Sequence, residues 1–346
     1  MNLDVLNQTA IAMTAGGKGV LAADESNRTI KKRFDAIGVE STYENRRDYR
    51  ELMFRATPTM ADYVSGVILF DETIRQQAAD GVPLVKLIQD AGAIPGIKVD
   101  AGAKPLAGGL EGETVTEGLD GLRERLAEYR NLGARFAKWR AVIDIGRGRT
   151  LAMPSHTAIH ANAHALARYA ALCQEADIVP IVEPEVLMDG DHDLARCEEV
   201  TVWILTEVFR ELYFAGVALE GIVLKPNMIV PGKLSTRQVS VEQVAQATVR
   251  VLKACCPAAV PGIAFLSGGQ DDVTATAHLN AMNQLGPLPW ALTYSYGRAL
   301  QAAPQKAWAG KAENVAAAQA AFHHRARMNS LAANGQWRPE LEQEAA

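Results

Sequence analysis

Eight short apolar runs, rich in branched side chains, recur along the 346-residue chain with starts 28 to 44 residues apart. They are GVLAADES (19 to 26), YVSGVILF (63 to 70), IPGIKVD (94 to 100), ARFAKWRAVI (134 to 143), IVPIVEPEVL (178 to 187), LEGIVLKPNM (219 to 228), GIAFLSGG (262 to 269) and WALTYSYG (290 to 297). Runs of this length read as buried strands, and each interval has room for a loop and a helix. Helical marks do lie between them. Ser41 to Glu44, Thr114 to Glu117 and Ser240 to Gln243 have the spacing of a capping box, and Ile204, Val208 and Leu212 repeat as a core-facing stripe.

Eight strand-helix units within roughly 250 to 300 residues predict an α/β fold, a single-domain (β/α)8 TIM barrel with extra terminal helices. Residues 1 to 17 are expected to form an N-terminal helical extension and residues 335 to 346 a flexible C-terminal tail. A doubly wound sheet is the alternative. It is disfavoured because GKGVLAADES places its glycines before the first strand, without the spacing of a dinucleotide-binding turn.

The 35 Lys and Arg against 40 Asp and Glu give a slightly acidic chain, so no nucleic-acid or anionic-membrane partner is expected. No apolar run approaches the ~18 residues of a membrane span. The start, MNLDVLNQTAIAMTAGGKG, lacks a basic region ahead of an apolar stretch, so a cytoplasmic location is expected. Cys173, Cys197, Cys255 and Cys256 have no metal-ligand spacing and read as reduced.

Charge collects at one end of the strands. Residues at i and i+2 of a strand point the same way. Lys98 and Asp100, Lys138 and Arg140, and Glu183 and Glu185 therefore pair on the barrel interior, with Val99, Trp139 and Pro184 facing outward. Asp24 ends the first run and Lys225 the sixth. These C-terminal strand ends are where barrel active sites are built. Lys225 either snorkels its charge to water or serves as a nucleophile toward a carbonyl carbon, with nearby cations such as Lys138 and Arg140 disfavouring its ammonium form. Eight converging charges favour the second reading, because burying them without a task is costly.

Two segments have the character of phosphate sites. The glycines of SGG (267 to 269) and YGR (296 to 298) close the seventh and eighth runs, where such barrels commonly hold phosphate, and Arg298 adds a fork of donors. Across the mouth, Ser26, Thr29 and Lys98 could hold a second anion. His156, His160 and His164 share one helical face, yet no carboxylate recurs at matching spacing, so they read as surface decoration and no metal is expected.

LAADES, GIKVD, FAKWR, PIVEPE, VLKPN, FLSGGQ and SYGRALQ, in this order, with DGDHDL (189 to 194) and KAWAGK (306 to 311), resemble class I fructose-1,6-bisphosphate aldolase from about Lys18 to Leu331. The resemblance implies reversible, cofactor-free cleavage of fructose 1,6-bisphosphate to dihydroxyacetone phosphate and glyceraldehyde 3-phosphate through a Schiff base on Lys225. It implies that Glu183 is the acid/base beside the imine, with Glu185 shaping charge, and that Asp24 and Lys138 orient the C4 hydroxyl. Ser267, Gly268, Gly297 and Arg298 match its C1-phosphate site, and Ser26, Lys98 and Arg140 its C6-phosphate end. Thr29 stands where serine is common, and Asn27 and Arg28 where threonine and glycine are usual. A homotetramer is implied. The family's terminal tyrosine has no counterpart in WRPELEQEAA, so proton exchange on the enamine is expected to be slower or served by another group. A Schiff-base lyase preferring fructose 1-phosphate or sedoheptulose 1,7-bisphosphate, and a non-catalytic scaffold on the same fold, are the alternatives.

Overall fold

A computed structural model describes residues 1–146 and 153–343. Its strands are β1 (Gly19–Ala23), β2 (Val64–Leu69), β3 (Ile94–Lys98), β4 (Ala103–Pro105), β5 (Thr114–Thr116), β6 (Phe136–Ile143), β7 (Val179–Val186), β8 (Val223–Leu224), β9 (Gly262–Phe265) and β10 (Ala291–Tyr296). Eight of them close a parallel barrel in the order β1-β10-β9-β8-β7-β6-β3-β2. This is the expected (β/α)8 architecture.

Alternation along the strands divides the barrel interior into two layers. Val20, Ala22, Ile68, Phe136, Val179, Ile181, Val223 and Ala264 form an apolar lower layer, closed from below by Leu6, Ala10 and Met13 of the helix Leu3–Thr14. Two residues beyond Ala22, Phe136, Ile181 and Val223 come Asp24, Lys138, Glu183 and Lys225. The amphipathic start of the chain is thus a plug for the barrel floor, and the charged layer sits above it. Gly96 makes room for the largest interior ring, since a β-carbon there would lie 2.2 Å from Phe136. On the outward face Trp139 packs against Tyr169 of the helix His156–Glu175, with ring centroids 5.5 Å apart.

Several local expectations are corrected. The run 219 to 228 contributes only two strand residues, because Leu219–Gly221 form a 3-10 turn and Pro226 has no N–H to continue the ladder. The Lys225 N–H donates to the Val182 carbonyl of β7 at 2.8 Å, and on the other side the Pro226 carbonyl accepts from the Leu266 N–H at 3.2 Å. Thr114 to Glu117 opens no helix; its residues pair with β4 in an antiparallel hairpin. The cap near Ser41 is formed by Thr42, whose side chain accepts from the Asn45 N–H. Ser240 and Gln243 do form the full capping box. The segment from 335, expected to be flexible, is packed as far as it is described. Trp337 is buried and its indole N–H donates to Glu342, which also pairs with the buried Arg325. All four cysteines are free thiols. No helix among the described residues is long and apolar enough to cross a membrane.

Candidate active site

The charged layer forms one connected network. Lys138 Nζ lies 2.8 Å from Asp24 Oδ2 and 3.4 Å from Glu183 Oε2, and Lys225 Nζ lies 3.3 Å from Glu183 Oε1. All four side chains are buried or nearly so. Parallel pairing of β6 with β7 sets Arg140 beside Glu183 and Val142 beside Glu185, so the two inward pairs of adjacent strands are staggered by two residues. Arg140 Nε donates to Glu185. Lys98 Nζ lies 2.8 Å from Asp100 Oδ1.

These contacts revise the expected neighbourhood of Lys225. Its charged contact is the Glu183 carboxylate, while Lys138 is claimed by Asp24 and Glu183 and Arg140 by Glu185. Burial alone would raise the Asp24 carboxyl, yet Lys138, with Lys225 and Lys98 behind it, pulls it down to about 2. Burial likewise opposes the charge on Lys138, and the carboxylates of Asp24, Glu183 and Asp100 outweigh it, holding the amine above the usual lysine range. Glu183 Oε2 accepts no hydrogen bond and has Lys138 Nζ beside it at 3.4 Å.

A cavity of about 300 Å³ opens above the network. Asp24, Lys138, Lys98, Arg140, Ser26 and Thr29 line it together with Gly297, as does Arg33, which the sequence reading missed. Ser26 caps the helix Asn27–Asp35, and its hydroxyl lies 3.1 Å from that of Thr29. Arg33 follows Thr29 by one helical turn on the same face, and Glu25 holds its guanidinium by an ion pair. Glu25 is fixed in turn by Gln301, whose amide donates to it at 2.8 Å.

Of the other proposed anion site, Gly297 reaches that cavity's lining, while Ser267, Gly268 and Arg298 lie outside it. Ser267 is buried at the end of β9, and Gly268 and Gly269 follow with φ of +60° and +92°, a left-handed pair that only glycine adopts without strain. A β-carbon on Gly269 would stand 2.8 Å from Lys233 Nζ and 3.2 Å from Arg298 Nη2. Two cations therefore lean over this turn, and Lys233 is a second residue the sequence reading missed. Gly297 precedes the helix Arg298–Trp308, whose N-terminal amides add positive character. A β-carbon on Gly297 would lie 3.7 Å from Arg33 Nη2, so Arg33 reaches toward this side as well. A larger cleft of about 430 Å³ by Leu122 and Arg168 on the outer wall holds no comparable constellation.

Fold and site together define a (β/α)8 barrel with a charged centre: a lysine amine and a carboxylate are buried side by side beneath a cationic mouth. A family model described as fructose-bisphosphate aldolase class-I matches residues 5–346. The chain is similar to the probable fructose-bisphosphate aldolase class 1 of Xanthomonas campestris pv. campestris, 59% identical over 98% of this chain and 100% of that protein. It is 52% identical to the fructose-bisphosphate aldolase of Echinococcus multilocularis, over 97% and 92% of the two chains. Among solved structures, the aldolase of Plasmodium falciparum, in a ternary complex with TRAP and a small-molecule inhibitor, superposes with a TM-score of 0.95 at 48% identity, over 97% of this chain and 96% of that one. The chain belongs to the class I fructose-bisphosphate aldolase family and is an aldehyde-lyase.

Proposed function

We propose that the chain cleaves fructose 1,6-bisphosphate reversibly, without metal or other cofactor, through an imine formed by Lys225. The observation that carries this reading is Glu183, whose two oxygens face the two buried lysines. Direct proton transfer between Lys225 and Glu183 at 3.3 Å supplies the free amine. That amine attacks the C2 carbonyl carbon to give a carbinolamine, and a proton from Glu183 lets its hydroxyl leave as water. The iminium then accepts the electron pair of the C3–C4 bond as the C4 hydroxyl passes its proton to the Glu183 carboxylate regenerated by the dehydration, releasing glyceraldehyde 3-phosphate. The enamine left behind is protonated at C3, and water returns Lys225 with dihydroxyacetone phosphate.

Asp24, held at about 2, is a poor proton acceptor near neutrality; its part is to orient the C4 hydroxyl together with Lys138. Glu185 fixes Arg140 at the rim. Ser267, Gly268, Gly297 and Arg298 hold the C1 phosphate, with Ser26, Thr29, Lys98 and Arg140 at the C6 end. Two cationic ends favour a bisphosphate over fructose 1-phosphate, and kcat/KM for the two sugars and for sedoheptulose 1,7-bisphosphate ranks them directly. Borohydride added with dihydroxyacetone phosphate should fix the ligand covalently on Lys225, read by peptide mass. Labelling at another residue, or none in active enzyme, would overturn the assignment.

A homo-oligomer, a tetramer by resemblance, and a cytoplasmic location complete the proposal. The exposed neighbours Tyr213 and Phe214, 80% and 69% accessible at the end of the helix Leu194–Phe214, support an assembly surface. Light scattering on the purified protein gives the mass.

A further inference from the structure

Away from the barrel mouth, the helices His156–Glu175 and Leu194–Phe214 lie side by side on the outer wall. The i, i+4 spacing puts His160 and His164 on one face of the first, and Glu207 and Glu211 occupy the facing side of the second. His160 Nδ1 is 3.1 Å from Glu207 Oε1 and 3.7 Å from Glu211 Oε1, and His164 Nδ1 is 2.9 Å from Glu211 Oε2. The ligand atoms of His160, Glu207 and Glu211 all lie within 4.8 Å of one another. The carboxylate partners that spacing along one segment did not show come from the neighbouring helix.

We propose that His160, His164, Glu207 and Glu211 bind one divalent cation of zinc-like character, clamping the two helices. Nitrogen and carboxylate oxygen ligands about 2.0–2.2 Å from a tetrahedral zinc stand roughly 3.3–3.6 Å apart. The two His160 separations bracket that span, so a small side-chain adjustment admits the ion. His164 lies beyond that cluster of three, faces the other oxygen of Glu211, and is the fourth ligand of the proposed site. Mixed imidazole and carboxylate donors suit zinc over calcium or magnesium.

Charge points to a cation independently of geometry. Glu207 and Glu211 are like charges one turn apart, and their side chains are only 12% and 9% exposed. Such a pair destabilises a helix unless it is neutralised. Arg210 reaches Glu207 and offsets part of this, leaving Glu211 with the two imidazoles. His156 stands outside the set, because its ring packs on Trp203 at 4.7 Å. The histidine side chains, 60% and 54% exposed, give an ion a path from solvent. None of the four lines the cavity by Asp24 and Lys138, so the ion's role is separate from sugar cleavage.

The test is cobalt(II) and zinc titration of chelator-treated full-length protein. One equivalent per chain is expected, with the visible absorption of tetrahedral cobalt and no thiolate charge-transfer band, and zinc should raise the melting temperature. His160→Ala with His164→Ala should weaken binding at least about tenfold and abolish the melting shift, while sugar cleavage persists. His164→Asn, a milder change at an exposed position, gives the same readout should the double variant fold poorly. Equal binding by parent and variants, the absence of saturable binding, or a thiolate signature that places the metal on cysteine would each overturn the proposal.

Discussion

Lys225 Nζ stands 3.3 Å from Glu183 Oε1, with both side chains only 4% exposed. The other oxygen of that carboxylate faces Lys138, so one acid serves two buried amines. Replacing it as Glu183→Gln keeps the shape and removes both the proposed proton shuttle and the counter-charge. A fall in kcat of about 10²- to 10⁴-fold is expected from the lost acid/base step. Urea denaturation should also report destabilisation on the order of 3 kcal/mol, since buried cations lose their partner. Unchanged steady-state kinetics would remove Glu183 from the chemistry.

Asp24 links the site to acid stability. Its folded carboxyl sits at about 2 against a reference of 3.8. The unfolded chain therefore takes up the proton first as pH falls. The stabilisation, about 2 kcal/mol, is complete well above pH 4 and is lost toward pH 2, with about 1 kcal/mol gone by pH 3. Asp24→Asn carries no such group. The difference in unfolding free energy between about pH 5 and pH 3 should accordingly be smaller in the variant than in the parent, by about 1 kcal/mol.

His278 connects pH to the phosphate turn. Gln270 donates from its amide nitrogen to the Ser267 carbonyl at 2.9 Å, so its oxygen is left to accept from His278 Nδ1–H at 2.6 Å. Burial pushes the imidazole down to about 4 despite the opposing charges of Asp271 and Glu242. With the folded value below the unfolded 6.5, stability is full above that value and declines as pH drops toward 4, by about 2 kcal/mol at pH 5. His278→Gln should flatten that decline in urea titrations. Because the ring's hydrogen bond goes to Gln270, beside the phosphate turn, KM for a phosphorylated sugar should rise more than kcat falls.

The interior of the barrel was legible because a strand has period two. Once Val20 and Ala22, Phe136, or Val179 and Ile181 are placed inside, Asp24, Lys138 and Glu183 must follow on the same face. Residues that reach the site from outside the strands were not legible in this way. Arg33 lies on a helix and Lys233 in a loop beyond Pro231, and neither has a spacing relation to the strands. Arg33 did leave a signal, one turn beyond Thr29 on a helix begun by Ser26. Lys233 left none, because its approach to Gly269 exists only after the barrel closes. The misread cap at Thr114 has the same origin: a threonine three residues before a glutamate also fits a hairpin strand.

Lys233 gives the most direct probe of the second anion site. Its amine leans over Gly269 beside Arg298, tethered by Asp189 at 2.7 Å. A phosphate on the Ser267–Gly269 turn would meet both cations. Since the lysine side chain is 43% exposed, water screens its charge and the contact is worth about 1 kcal/mol. Lys233→Met should therefore raise KM for fructose 1,6-bisphosphate roughly fivefold with kcat nearly unchanged, and added salt should narrow the gap between parent and variant. Asp189→Asn releases the amine from its carboxylate and should move KM the opposite way. If KM holds in both variants, Lys233 only ties down the loop at Asp189, and Arg298 with the helix amides carries the phosphate alone.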